Sequence, residues 1–173
     1  ASHRDCTLEP RDDSSLALRL GWRMLHGLKH ETVDRILAAR RHGPFESQAD
    51  FMQRTHIGRS ELMLLAKAGA FQSLATPRRT AQWNAMPARE MSPLLASIPD
   101  HEPPVVLPKM TAAQEVIADY QTAGLSLRAH PMSFVRGELV QAGVIRIADM
   151  ARVESERRYR IAGLVLLLSL IHI

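Results

Sequence analysis

Apolar residues recur at helical spacing through most of the chain. Leu18, Trp22 and Leu25 fit one face of a helix over residues 16–25, which Gly27 then breaks. Val33, Ile36, Leu37 and Arg40 mark one face of the next helix. Gly43-Pro44 stops it, because proline lacks the amide a helix needs. Ser47, with Asp50 three residues later, reads as a capping box opening a short third helix. The turn HIGRS, residues 56–60, leads into a helix carrying Leu62, Leu65 and Ala66. Gly69 suits the left-handed position just past its end. Thr76-Pro77 has the signature of an N-cap followed by proline at the first helical position, starting a helix through Trp83. The pattern therefore predicts two helix-turn-helix units in tandem, the second echoing the first. Residues 15–86 form one pseudo-repeated helical domain on this reading, and residues 1–14 are the end of a preceding region.

The pattern then changes. Six of the ten prolines fall between Pro87 and Pro108, so residues 87–108 read as a proline-rich linker. Thr111 with Gln114 is a second capping box, with a helix to about Thr122 and Gly124 beyond it. HPMSFVRGELVQAG reads as another helix, ended by Gly143, and residues 109–152 together make a helical connector. From Arg157, RRYRIAGLVLLL alternates and then becomes wholly apolar, as the first strand of a sheet or barrel does. One strand cannot stand alone, so a truncated β-domain is expected over residues 153–168. The fold class expected is mainly α. The opening ASHRDCTLEP has neither an initiator Met nor an apolar segment and reads as the middle of a longer chain. The closing LSLIHI is what a transposon-adaptor sequence encodes, so residues 169–173 read as a non-native tail. The apolar stretch at that end is shorter than the roughly 20 residues a membrane helix requires, so no membrane association is expected.

Composition narrows the class. Hydrophobic residues make up 46 % of the chain and charged residues 23 %, which is the balance of a globular protein rather than a disordered one. A lone cysteine, Cys6, rules out an internal disulfide and fits a reducing, cytoplasmic setting. The net charge of +4 is unevenly placed. Residues 15–86 hold eleven Lys and Arg against five Asp and Glu, whereas residues 87–173 hold nine of each. The basic surplus sits on the tandem helical units, and a basic compact module points to a polyanion, most often nucleic acid.

That surplus gives the turns a chemical reading. The turn of a helix-hairpin-helix presents backbone amides at the start of its second helix, where they and the helix dipole suit one DNA phosphate. Glycine lets the phosphate approach and accommodates unusual backbone angles. Gly27, Leu28, Lys29 and His30 fit the first such turn, with Leu28 as a core plug, and Ile57, Gly58, Arg59 and Ser60 fit the second. Arg23, Arg40, Arg41, Arg78 and Arg79 are candidate side-chain contacts to phosphate. The usual hairpin has two glycines and each of these has one, so a plain helical corner with a solvated face remains the alternative. Nothing suggests base reading, so the binding expected is sequence-independent. HETVD, residues 30–34, misses a zinc-hydrolase HExxH because Asp34 stands where the second His belongs. No glycine-rich phosphate loop, nucleophile–histidine pair or acidic triplet is visible, so neither a catalytic nor a metal site is expected in this chain. A non-enzymatic basic adaptor that binds an acidic protein is the competing reading.

Several longer stretches carry a family resemblance. DCTLEP (5–10), LALRLGWRMLHGL (16–28), RILAARRHGPF (35–45) and LAKAGAFQSL (65–74) resemble the region after the fingers of bacterial C-family DNA polymerases, the DNA polymerase III α-subunit type. MTAAQEVIADYQTAGLSLRAHPMSF (110–134) is similar to their connector into an OB-fold. DCTLE and DYQTAGLSLRAHP resemble the error-prone, damage-inducible branch more than the replicative one, whose α-subunit is the alternative. The resemblance implies that residues 15–86 are a tandem helix-hairpin-helix domain holding primer-template duplex DNA, and that residues 157–168 are the first OB strand. It places the catalytic aspartates and their two Mg ions in a palm domain N-terminal to this segment, with no cofactor here. It also implies, for the whole polymerase, a sliding clamp and mutagenesis accessory proteins as partners, namely an inactive Y-family-like polymerase and a RecA-like protein. Family members tend to have Ser at the position of Lys29, so helix capping is expected to be weaker here and local charge greater.

Overall fold

A computed structural model describes residues 2–12, 14–86, 105–154 and 156–165. The chain divides into two compact units, residues 1–125 and residues 126–173.

The first unit opens with a β-ribbon. Strand β1 (Thr7–Pro10) pairs antiparallel with β2 (Leu16–Arg19), setting Leu8 opposite Leu18 and Pro10 opposite Leu16. A diagonal ion pair between Glu9 and Arg19 closes its other face. The helix expected over residues 16–25 is therefore absent, replaced by β2 and a single 3-10 turn at Trp22–Met24. Leu16, Leu18 and Leu20 alternate as a strand does while Leu18, Trp22 and Leu25 keep helical spacing, and the strand partner lies upstream, where local periodicity cannot detect it. Gly21 joins strand to turn under the N-terminal segment. A Cβ there would lie 2.3 Å from the Asp5 carbonyl carbon, so no larger residue fits. The same crossing lets the Trp22 and Arg23 amides donate to the His3 and Arg4 carbonyls.

Four helices follow: α1 (His30–Arg40), α2 (Gln48–Thr55), α3 (Arg59–Lys67) and α4 (Arg78–Ala85). Their apolar faces meet in one core of Ile36, Phe51, Leu62, Leu65, Ala66, Phe71, Ala81 and Ala85. Phe45, Phe51 and Phe71 stack edge-to-face in series, with ring centroids 4.8 and 5.1 Å apart, a geometry that adds to simple burial. Ser47 caps α2 by accepting from the Asp50 amide, and the Asp50 carboxylate accepts from the Glu46 amide. Arg54 lies over the Phe45 ring and donates to the carbonyls of Ala39, Gly43 and Pro44, fastening α2 to the end of α1 and the turn after it. Gly69 (φ +74°) ends α3 as expected. Thr76 differs from expectation. Pro77 takes the N-cap place of α4, and the Thr76 hydroxyl donates back to the Leu74 carbonyl.

Helix α5 (Ala112–Ala123) also belongs to this unit. Its capping box is complete, with Thr111 accepting from the Gln114 amide and Gln114 accepting from the Thr111 amide. Gly124 (φ +73°) ends it. Val116 is buried, and the Thr122 carbonyl accepts from the His26 amide, so α5 touches the first predicted turn directly. Most of the proline-rich linker, residues 87–104, lies outside the described residues.

In the second unit, α6 (Met132–Gln141) ends ahead of Gly143 (φ +73°), and a 3-10 stretch covers Ile147–Arg152. Strand β3 (Val144–Ile145) pairs in parallel with β4 (Arg160–Ile161). The strand expected from Arg157 is thus two residues long where it is described. Residues 166–173, with the expected tail, lie outside the described set. Among the described residues, no helix is long and apolar enough to cross a membrane.

Candidate nucleic-acid interface

The two turns superimpose in sequence with an offset of 29 residues. Gly27 (φ +83°) and His56 (φ +49°) occupy the left-handed position that reverses the chain. Leu28 and Ile57 follow, each partly buried against the core. Lys29 and Gly58 come next as extended N-caps, with φ near −73° in both. The glycines are therefore not equivalent. Gly27 serves the left-handed reversal and Gly58 the N-cap, so each turn keeps one of the two glycines of the usual hairpin and lacks the other. The first turn also departs from a helix-hairpin-helix in its entry, which is the 3-10 turn Trp22–Met24 rather than an α-helix.

Each turn ends at a helix start whose first amides precede the hydrogen-bonded ladder. In α1 the first helical bond runs from the Val33 amide to the Lys29 carbonyl, so the amides of His30, Glu31 and Thr32 precede the ladder. In α3 the Leu62 amide bonds to the Gly58 carbonyl, leaving those of Arg59, Ser60 and Glu61. Lys29 makes no side-chain capping bond, as expected of a lysine in place of a hydroxyl residue. No backbone atom of another residue crowds Gly27. A Cβ there would reach only Leu64 Cδ2, at 4.0 Å.

The side chains are less uniform than the sequence suggested. Lys29, His30, Arg41, Arg59 and Ser60 are exposed. Arg23 is exposed and paired with Asp5 at 3.0 Å. Arg40 is half-buried, 6.0 Å over the Trp22 ring, and donates to the Ser2 carbonyl; burial pushes its pKa down from the ordinary value. Arg79 donates to the Pro108 carbonyl and to Gln114. Arg78 is a correction. It is 3 % exposed, with its guanidinium on Asp119 and Glu115 and a bond to the Glu115 carbonyl. It fastens α5 to α4 and cannot reach a phosphate in this fold. Basic residues at a helix start look alike in sequence whether they face solvent or the next helix.

Three residues that matter here were not singled out by sequence. Arg35 donates to the His56 carbonyl, tying α1 to the second turn. Asp119 holds Arg78. Glu61 lies over the start of α3, and a Cβ on Gly58 would be 2.9 Å from its Oε2. The Ser60 hydroxyl donates to that oxygen, and the Lys29 ammonium lies 3.7 Å from Oε1. The Glu61 carboxyl is held below its ordinary pKa, first by its own backbone amide and then by Ser60 and Lys29, against a burial penalty. Its position three residues after the N-cap was the available signal, since that is the acceptor position of a capping box.

Residues 1–81 match the family described as helix-hairpin-helix motif. The error-prone DNA polymerase of Pseudomonas syringae pv. tomato is 37 % identical over 169 residues, covering 95 % of this chain and 16 % of that protein. That of Alkalilimnicola ehrlichii is 35 % identical over 162 residues, covering 94 % and 16 %. Error-prone DNA polymerase 1 of Rhizobium meliloti is 40 % identical over 159 residues, covering 87 % and 14 %. The chain thus spans only 14 to 16 % of the length of these relatives. Over most of its length, the chain is homologous to one segment of the error-prone DNA polymerases, and its own residues 1–81 carry the helix-hairpin-helix match.

Proposed function

We propose that this chain is the duplex-holding segment of an error-prone DNA polymerase, gripping the DNA backbone without regard to sequence. The observation that carries the reading is the first turn. There a left-handed glycine, an apolar plug and a helix start without a side-chain cap set amides that precede the helical ladder beside an exposed lysine. Amides and dipole together favour an anion at that place, and the basic surplus of residues 15–86 attracts a polyanion to the same face of the sequence. Polymerisation across damaged template is the activity of the whole protein in this reading, carried out by a palm domain and two Mg ions outside this segment. A sliding clamp, an inactive Y-family-like polymerase and a RecA-like protein are its proposed protein partners, and the cytoplasm its location.

Fluorescence anisotropy with random-sequence duplexes at several salt concentrations tests the binding claim. Affinity that is blind to sequence and falls linearly with log salt supports it. Preferential binding to an acidic protein, with no measurable duplex affinity at low salt, would support the adaptor reading instead.

A further inference from the structure

The two turns share a backbone plan but differ in what stands at their helix starts. Three residues after the N-cap, α1 has Thr32, neutral and 1 % exposed, whereas α3 has the ionised Glu61. At the left-handed position the first turn has a bare glycine and the second the exposed imidazole of His56. Glu61 also reaches the first turn through Lys29, whose side chain is 73 % exposed against 16 % for Glu61. One carboxylate thus lies where a phosphate would sit on α3 and holds the lysine best placed to assist a phosphate on α1.

We propose that Glu61 determines which of the two hairpins holds DNA. It acts as an internal anion that fills the seat at the start of α3 and restrains Lys29, so that the first turn alone engages a backbone phosphate. The inference rests on the duplex-binding reading above. In chemical terms a carboxylate and a phosphate compete for the same amides, and the tethered group wins through its high local concentration. The consequence is a weaker, single-point grip, suited to a DNA-holding element that must slide. Removing the charge opens the second seat and frees Lys29.

Glu61→Gln keeps a side chain able to cap the helix while losing the charge. In the 173-residue chain it should bind random duplex at least about fivefold more tightly at low salt, with a salt slope steeper by about 0.9 for one added phosphate. Asp34→Asn, which neutralises an exposed carboxylate in the middle of α1, controls for the general change in charge and should give a smaller gain and no change in slope. Lys29→Ala should weaken binding in the native chain and weaken it several-fold more beside Glu61→Gln, a coupling that bulk charge does not produce. Glu61→Ala, read the same way, covers the case in which Glu61→Gln disturbs folding by circular dichroism. Unchanged or weaker binding by the folded variants, or a gain equalled by Asp34→Asn, would overturn the inference while leaving a Gly27-dependent duplex affinity intact. If the native chain and the Glu61 variants alike fail to bind duplex, the functional reading falls and this inference with it.

Discussion

Gly27 concentrates two demands in one residue, a left-handed backbone and an unobstructed approach, and the two separate by mutation. With φ at +83°, Gly27→Val strains the turn by about 1–3 kcal/mol and crowds the phosphate, so both stability and duplex affinity should fall. Gly27→Asn tolerates the left-handed conformation, so it should melt close to the native chain yet still bind more weakly. Equal affinity of Gly27→Asn and the native chain, measured by anisotropy, would show that no phosphate approaches there. Glu61 adds a pH signature. Its carboxyl is more acidic folded than unfolded, so its contribution to stability is complete above the ordinary carboxylate pKa and is lost as pH falls through the lowered value. Denaturant midpoints taken from about pH 6 to about pH 3 should therefore decline. They should decline less steeply in Glu61→Gln.

At the level of elements, α5 is the part whose role was least visible beforehand. Its docking combines the buried Val116, the Arg78 pairs with Asp119 and Glu115, and the bond from the His26 amide to the Thr122 carbonyl. The last of these places α5 against the residue preceding Gly27, so the helix braces the first turn. Arg78 is a buried cation, and removing one member of such a pair costs about 3–5 kcal/mol because the partner charge is left uncompensated. Arg78→Ala should lower the melting temperature by several degrees or more. Asp119→Asn should do so by less, because Glu115 remains beside Arg78. Both changes should also weaken duplex binding, although neither side chain faces DNA. A folded Arg78 variant with unaltered stability would contradict the brace.

For the whole molecule, the division of charge is the governing fact. The basic surplus belongs to residues 15–86, whereas residues 87–173 are balanced and residues 1–14 are slightly acidic. Of the basic candidates, Arg78 is buried and Arg23, Arg40 and Arg79 already have protein partners. That leaves few exposed cations near the turns, chiefly Arg41, Arg59 and Lys29, the last beside Glu61. The slope of log affinity against log salt should therefore be shallow, about −2 to −4, since each neutralised phosphate contributes about −0.9. A slope far steeper would require contacts from the arginines assigned here to the fold. The isolated chain should add no nucleotides to a primed template, because on the proposed reading the metal-binding aspartates belong to another domain. Template-dependent extension by the purified chain tests this.

Several features were legible in the residues alone because their causes are local. Ser47–Asp50 and Thr111–Gln114 cap their helices within a single turn, and Gly69, Gly124 and Gly143 take left-handed positions that a side chain disfavours. The two turns, the leucine plug of the first and the mainly helical class follow from the same short-range rules. Tertiary structure decided what depends on partners distant in sequence. Leu16–Arg19 became a strand because Thr7–Pro10 lies beside it, and Gly21 is tight because Asp5 crosses it. Arg78 turned inward because Asp119 is brought to it from 41 residues away. The unequal turns also emerged only in three dimensions, since nothing in the sequence order of Lys29 and Glu61 shows that the ammonium of one turn lies beside the carboxylate of the other. A basic residue has the same letter whether it faces a phosphate or an aspartate, and only the packing of the chain around it settles which.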